Sequence, residues 1–133
     1  MKGYVINIEE EAKKNAYFRK VLYTAKNSQL VLMSLLPGEE IGSEVHNTLD
    51  QFFRIEEGVG IAVIDGVEHP IGDGFSVTVP AGAEHNIKNT SPDKVLKLYT
   101  IYSPPDHKDG TVHPTKADAL ADTNDHFDGV ISE

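Results

Sequence analysis

The chain has neither cysteine nor tryptophan among its 133 residues. Without thiols there is no disulfide staple and no thiolate chemistry, so any metal ligand must be a nitrogen or oxygen donor. Basic charge is also scarce: 12 Lys and Arg stand against 21 Asp and Glu, a net charge of -9. That field repels phosphate backbones and anionic lipid surfaces, which argues against nucleic acid and membranes as partners. It leaves a small-molecule substrate open, even an anionic one, because a few local cations can override a global field. No run approaches the roughly 20 apolar residues of a membrane span. The stretch Met1 to Glu9 lacks the apolar centre of a secretory leader, so a cytoplasmic protein is expected.

Helical periodicity is rare, and period-two patterning dominates. The whole chain, 1–133, reads as a single domain, with a core over about 17–102 and a tail over 103–133. Strands are expected over 17–24, 29–36, 41–46, 51–55, 60–64, 67–71, 75–79, 85–89 and 95–102. Asp65-Gly66 between two of these runs suits the positive dihedrals of a tight primed turn. Short strands with turns every 8–12 residues predict an all-β sandwich or small barrel. Glu9 to Asn15 predicts a helical turn or two, and Thr115 is a candidate N-cap for a short helix ending near Asp122. The acidic residues after that helix are expected to fray.

Two glycine-bounded segments carry the chemistry. The first holds Gly38, Glu44, His46, Gln51 and Gly58; the second holds Gly74, Pro80, Gly82, His85 and Asn89. Glu44 and His46, two apart on a strand, point to one face about 6–7 Å apart at the backbone. Gln51 is an odd step further, but the break at Asn47 to Asp50 resets the parity and returns it beside His46 on the neighbouring strand. His85 follows the tight turn at Pro80 to Gly82. Two imidazoles, a carboxylate and an amide can hold a divalent cation. With no soft ligand, Zn, Mn, Fe(II), Co and Ni remain open, and two His plus one carboxylate also match the facial triad of non-haem iron. Glu44 has a second reading, as a carboxylate beside the site that acts as a base.

These spacings resemble the cupin superfamily, over roughly residues 30–102. Its first motif runs glycine, five residues, His-x-His, three or four residues, Glu, six residues, Gly. The frame is kept here, but Glu44 stands at the first His and Gln51 at the Glu. Its second motif is complete in Gly74, Pro80, Gly82, His85 and Asn89. The resemblance implies a small jelly-roll β-barrel with His46, His85, Gln51 and Glu44 around a metal. It also implies likeness to small stand-alone cupins described as mannose-6-phosphate isomerase-like, whose zinc site has a similar mix of ligands. The leading expectation is therefore a metal-dependent enzyme acting on a small sugar or sugar phosphate, with Glu44 or a tail histidine as base. A non-haem metal dioxygenase and a non-catalytic binding module are the alternatives, because one barrel carries many chemistries.

The tail holds His107 and His113 in a proline-stiffened stretch that could fold over the barrel mouth, and His113 is entered as a candidate catalytic group. His69 and His126 read as solvated. Lys88, Lys97, Lys108 and Lys116 are the candidate cations for a phosphate. Phe53 and Phe75 read as core. Leu30, Val31, Leu32, Met33, Leu35 and Leu36 put apolar residues on both faces of one strand, which predicts a homodimer.

Overall fold

A computed structural model describes residues 1–133. The elements in chain order are α1 (Ile8–Lys14), β1 (Arg19–Thr24), β2 (Gln29–Leu35), β3 (Glu44–Val45), β4 (Asp50–Glu57), β5 (Val59–Ile64), β6 (Val67–Gly72), β7 (Ser76–Val79), β8 (Glu84–Asn89), β9 (Leu96–Ser103), β10 (Val112–His113) and α2 (Lys116–Ala121). All strand pairs are antiparallel. One sheet has the order β10-β1-β2-β9-β4-β7 and the other β3-β8-β5-β6. The sheets close over a single apolar core as a jelly roll. No helix is long and apolar enough to cross a membrane.

Register explains how the barrel acquires one apolar end and one polar end. Met33 pairs with Leu98, and Leu98 with Ile55; one row further, Val31, Thr100, Phe53 and Val77 lie side by side. These inward residues are almost fully buried and meet Ala62, Ile71 and Ile87 of the other sheet. The next inward row is Gln29, Tyr102, Gln51 and Val79. Three of its four side chains are polar, and all are buried. An inward polar row must be satisfied by partners, and those partners build the site described below.

Two glycines at the start of β5, Gly58 at the end of the first motif and Gly60 just beyond it, have a packing cause. A Cβ on Gly60 would stand 2.3 Å from the Lys88 carbonyl oxygen, because β5 and β8 approach closely there. Gly58 has φ +97°, and a Cβ there would stand 2.7 Å from the Val95 carbonyl. Asn89, the last residue of the second motif, is a buried clasp. Its Nδ2 donates to the carbonyls of Leu35, Leu36 and Lys94 at 3.0, 3.1 and 2.9 Å, and its Oδ1 accepts from Ser91 N–H at 2.9 Å.

Helix α1 is capped by Asn7, whose side chain accepts from Glu10 N–H at 3.1 Å. It packs on the outer face of β2, β4 and β9. That placement buries Leu32 within the chain, so its apolar side chain needs no second copy as cover. Leu36, also counted toward a dimer face, is 58% exposed.

Most expected strands fall within two residues of the observed ones. The exception is 41–46, where pairing shrinks to Glu44–Val45 and one bridge between Glu40 and Lys88. Phe75 is 53% exposed and does not belong to the core, whereas Phe53 does. The tail does not fray. Ser132 N–H donates to Thr24 O at 2.9 Å, and Glu133 closes on Tyr23 and the backbone of Lys2. Buried Gln29 pegs the tail to the barrel: its Nε2 donates to His107 O at 2.7 Å and its Oε1 accepts from His107 N–H at 2.9 Å. Helix α2 starts at Thr115 with a full capping box to Asp118.

Candidate metal centre

Glu44 and His85 are cross-strand partners of β3 and β8, so one register places the carboxylate beside the imidazole. His46 follows β3 directly. Its carbonyl accepts Gly82 N–H at 2.8 Å, which ties the turn of the second motif to the first. Gly82 makes that turn at φ +90°. Gln51 reaches the same point from the opposite sheet. The break at 47–50 thus carries the chain across the barrel, and Gln51 is not on the strand neighbouring His46 as its sequence parity had implied.

The four residues meet. One donor atom from each of Glu44, His46 and His85 lies within 4.8 Å of the others. Gln51 Oε1 stands 3.0 Å from His85 Nε2, and His46 Nε2 stands 3.0 Å from Glu44 Oε2. The two imidazole rings are 5.3 Å apart.

The hydrogen bonds test whether this set fits a cation. His85 Nδ1 lies 3.1 Å from the Ala83 carbonyl, which can only accept, so Nδ1 carries the proton. In the neutral ring Nε2 is then a lone pair. It faces Gln51 Oε1, a second lone pair, because the Gln51 Nε2 amide donates to Thr100 Oγ1 at 3.0 Å. Two acceptors aimed at each other are relieved by an ion between them, by a proton on Nε2 or by rotation of the amide. The amide orientation seen is the one that suits an ion, with the outer hydrogen bonds fixing the imidazole tautomer and the amide. The donor set therefore fits a divalent metal.

Electrostatics support a charged Glu44. Burial pushes its carboxyl up, but the His46 hydrogen bond, the His46 charge and Arg19 outweigh that and hold it below the ordinary carboxylate range. The same bond raises His46 against its own burial.

Next to this centre is a cavity of about 350 Å³ lined by Arg19, Glu44, His46, Asp106, His107 and Lys116, with Asp125 and His126 at its tail side. The tail supplies two Asp–His pairs. Asp125 Oδ2 is 3.2 Å from His107 Nδ1, and His107 Nε2 is 3.1 Å from Tyr102 OH. A neutral His107 donates from Nδ1 to Asp125 and accepts from Tyr102. Burial, with Arg19 adding to it, pushes the His107 pKa down to about 4. In the second pair, Asp122 Oδ2 is 2.8 Å from His113 Nε2. His113 Nδ1 faces Arg19 Nη1 at 3.4 Å, a donor, so the proton of His113 sits on Nε2 and points at Asp122.

Each expected residue can now be placed. His46, His85, Gln51 and Glu44 converge. His113 does not line the cavity; both its ring nitrogens are engaged behind Arg19. His107 is the tail histidine on the cavity wall. His126, expected in solvent, is exposed but stands at the rim. Of the four candidate lysines only Lys116 lines the cavity; Lys97 donates to Asn15 O, and Lys88 lies 4.0 Å from Glu40. Arg19, Asp106, Asp122 and Asp125 were not singled out. The signal for Arg19 was available: it alternates with Val21 and pairs with Met33, so it is a cation on the inward face.

The cupin domain family matches residues 31–102. The uncharacterized protein YrkC of Bacillus subtilis is 47% identical over 126 residues, covering 90% of this chain and 67% of that protein. The crystal structure of BH2720 from Bacillus halodurans superposes with a TM-score of 0.88 at 43% identity, over 91% of this chain and 96% of that one. A predicted oxalate decarboxylase from Thermotoga maritima superposes with a TM-score of 0.56 at 25% identity, over 60% of this chain and 69% of that one.

Proposed function

This chain belongs to the cupin family, and from that premise we propose that it is a metal-dependent enzyme acting on a small polyhydroxylated substrate of the sugar type. The single observation that carries the reading is the acceptor–acceptor contact between His85 Nε2 and Gln51 Oε1, with His46 and Glu44 beside it. His46, His85 and Gln51 are the ligands, and Glu44 is the carboxylate next to them. A divalent ion held there would polarise a carbonyl or hydroxyl of the substrate as a Lewis acid.

The chain's own groups do the rest. Glu44, whose ionised form Arg19 favours, takes a proton from the carbon next to the polarised carbonyl and returns it to the carbonyl carbon, while the hydroxyl proton passes from one oxygen to the other, as in an aldose–ketose isomerisation. Tyr102 and His107 close the wall beside His46 and limit water at that side. A solved neighbour described as an enzyme supports catalysis in this barrel. The two-histidine, one-carboxylate set favours a second reading, a non-haem iron oxygenase, which predicts oxygen uptake that follows iron loading.

The test has two parts. Metal content of purified protein should fall to background in His46→Ala and His85→Ala and stay near the parent level in Glu44→Gln. Parent protein should exchange substrate α-protons into deuterated water across a panel of aldoses, ketoses and their phosphates, and Glu44→Gln should not. Ion retention by both alanine variants, or no exchange with any sugar, defeats the proposal. A homodimer remains part of the proposal, resting on the half-buried outward band Leu30, Ile101 and Phe52, which share one row.

A further inference from the structure

We propose that the cavity is built for a small monocarboxylic acid whose carboxylate is held by Arg19, and that His113 and Asp122 position that arginine. The inference deepens the preceding reading and rests on it for the placing of the remainder of the ligand at His46 and Glu44.

Arg19 projects from the inward face of β1 and is 7% exposed. Its guanidinium has five N–H donors. One reaches His113 Nδ1 at 3.4 Å, and Nε has no partner. No carboxylate forms an ion pair with it, although Glu44, Asp106 and Asp125 line the same cavity. The carboxylates act on it only at longer range, so its unpartnered N–H calls for an acceptor in direct contact, and a buried cation is best satisfied by one of opposite sign. Its Cζ lies 5.3 Å over the centroid of the Phe18 ring, within cation–π distance. A planar fork of donors matches the two oxygens of a carboxylate.

The charge of the wall selects carboxylate over phosphate ester. Arg19 and Lys116 supply two positive charges, and Glu44, Asp106 and Asp125 supply three negative ones; with neutral imidazoles and a divalent ion at the adjacent centre, the site carries one net positive charge, which one carboxylate matches. A phosphate dianion would overshoot that charge and leave the site negative. The cavity volume sits at the small end of ligand sites. The inference takes a carboxylate in place of the expected phosphate: a sugar acid keeps the polyhydroxylated ligand, and a short hydroxy acid is its smallest analogue.

The role of the tail follows from the tautomer. Asp122 accepts from His113 Nε2–H, which leaves Nδ1 as the acceptor that Arg19 needs. His113 and Asp122 act through Arg19, not on the ligand.

Calorimetric titration of the full chain with gluconate, lactate, glucitol and glucose 6-phosphate tests this, with metal content measured in every sample. Gluconate or lactate should bind saturably, glucose 6-phosphate at least tenfold more weakly, and glucitol not detectably. Arg19→Gln should weaken carboxylate binding at least tenfold with ion content and melting temperature retained, and Arg19→Lys should fall between. Asp122→Ala should weaken binding severalfold in the parent but change nothing in the Arg19→Gln background. The inference is overturned if no carboxylate binds, if the phosphate ester binds as tightly, or if Arg19→Gln binds like the parent. If the variants do not fold, the comparison of ligand classes on the parent protein decides alone. Carboxylate binding by a parent protein that holds no ion would instead count against the metal-dependent reading and leave this one standing.

Discussion

Acidification should destabilise this protein through His107. The ring is buried between Tyr102 and the tail, with Arg19 and His113 facing it as cationic or potentially cationic groups and Asp106, Asp125 and Glu44 as carboxylates. Burial is the largest influence and Arg19 the next, and together they bring its pKa from an ordinary 6.5 down to about 4. The native state therefore holds the ring neutral in a range where the unfolded chain protonates it. Between those two values the unfolded state binds more protons, so stability rises with pH. The contribution is complete above pH 6.5 and is lost as pH falls toward 4. By pH 4.5 the loss is of the order of 2–3 kcal/mol. For a chain of this length that corresponds to a drop of about 9 °C in melting temperature. Carboxylates contribute in the same direction, so the assay compares parent with His107→Gln. The glutamine amide can still accept from Tyr102 and donate to Asp125 but has no proton to gain. Urea midpoints at several pH values from 7.5 to 4.5 should converge for the two proteins as pH falls. Parallel curves would refute the reasoning, as would a parent that becomes more stable on acidification, which would mean that a protonated His107 pairs favourably with Asp125 and Asp106.

Three further outcomes follow from the packing and the site. Gly60→Ala should destabilise by about 3 kcal/mol or fail to fold, because the Lys88 carbonyl 2.3 Å from the new Cβ is backbone and cannot step aside; chemical denaturation measures this. Asn89→Asp should cost roughly 3 kcal/mol or more by the same assay, since it removes a donor from three carbonyls and turns a carboxylate toward them. A divalent ion at about 100 times its dissociation constant should stabilise the parent by about 2.7 kcal/mol, read as a thermal shift, and leave His85→Ala unmoved; an equal shift in that variant would show the ion bound elsewhere.

The barrel was legible because its causes are local. Alternation, the Asp65-Gly66 turn and the glycine-framed motifs each act over a few residues, and they marked both the strands and the four converging ligands. What escaped depends on contacts between distant segments. Arg19 belongs to the site only because β10 brings His113 beside it, 94 residues away in sequence. His107 lines the cavity because Gln29 binds its backbone on both sides. No short pattern encodes that clasp, so the tail read as frayed and its two acidic partners read as solvent-facing charge. Leu32 suggested a partner subunit because its cover, α1, lies well upstream and leaves no mark in the strand itself.

The portion shared with the family, residues 31–102, contains Glu44, His46, Gln51 and His85 but stops short of Arg19 on one side and of both Asp–His pairs on the other. Kinship through the barrel thus reaches the four converging side chains but not the far wall of the cavity beside them. Relatives that keep the can and replace these flanking segments are free to choose other substrates, and divergence in this lineage should be sought at the two chain ends rather than in the motifs that define it.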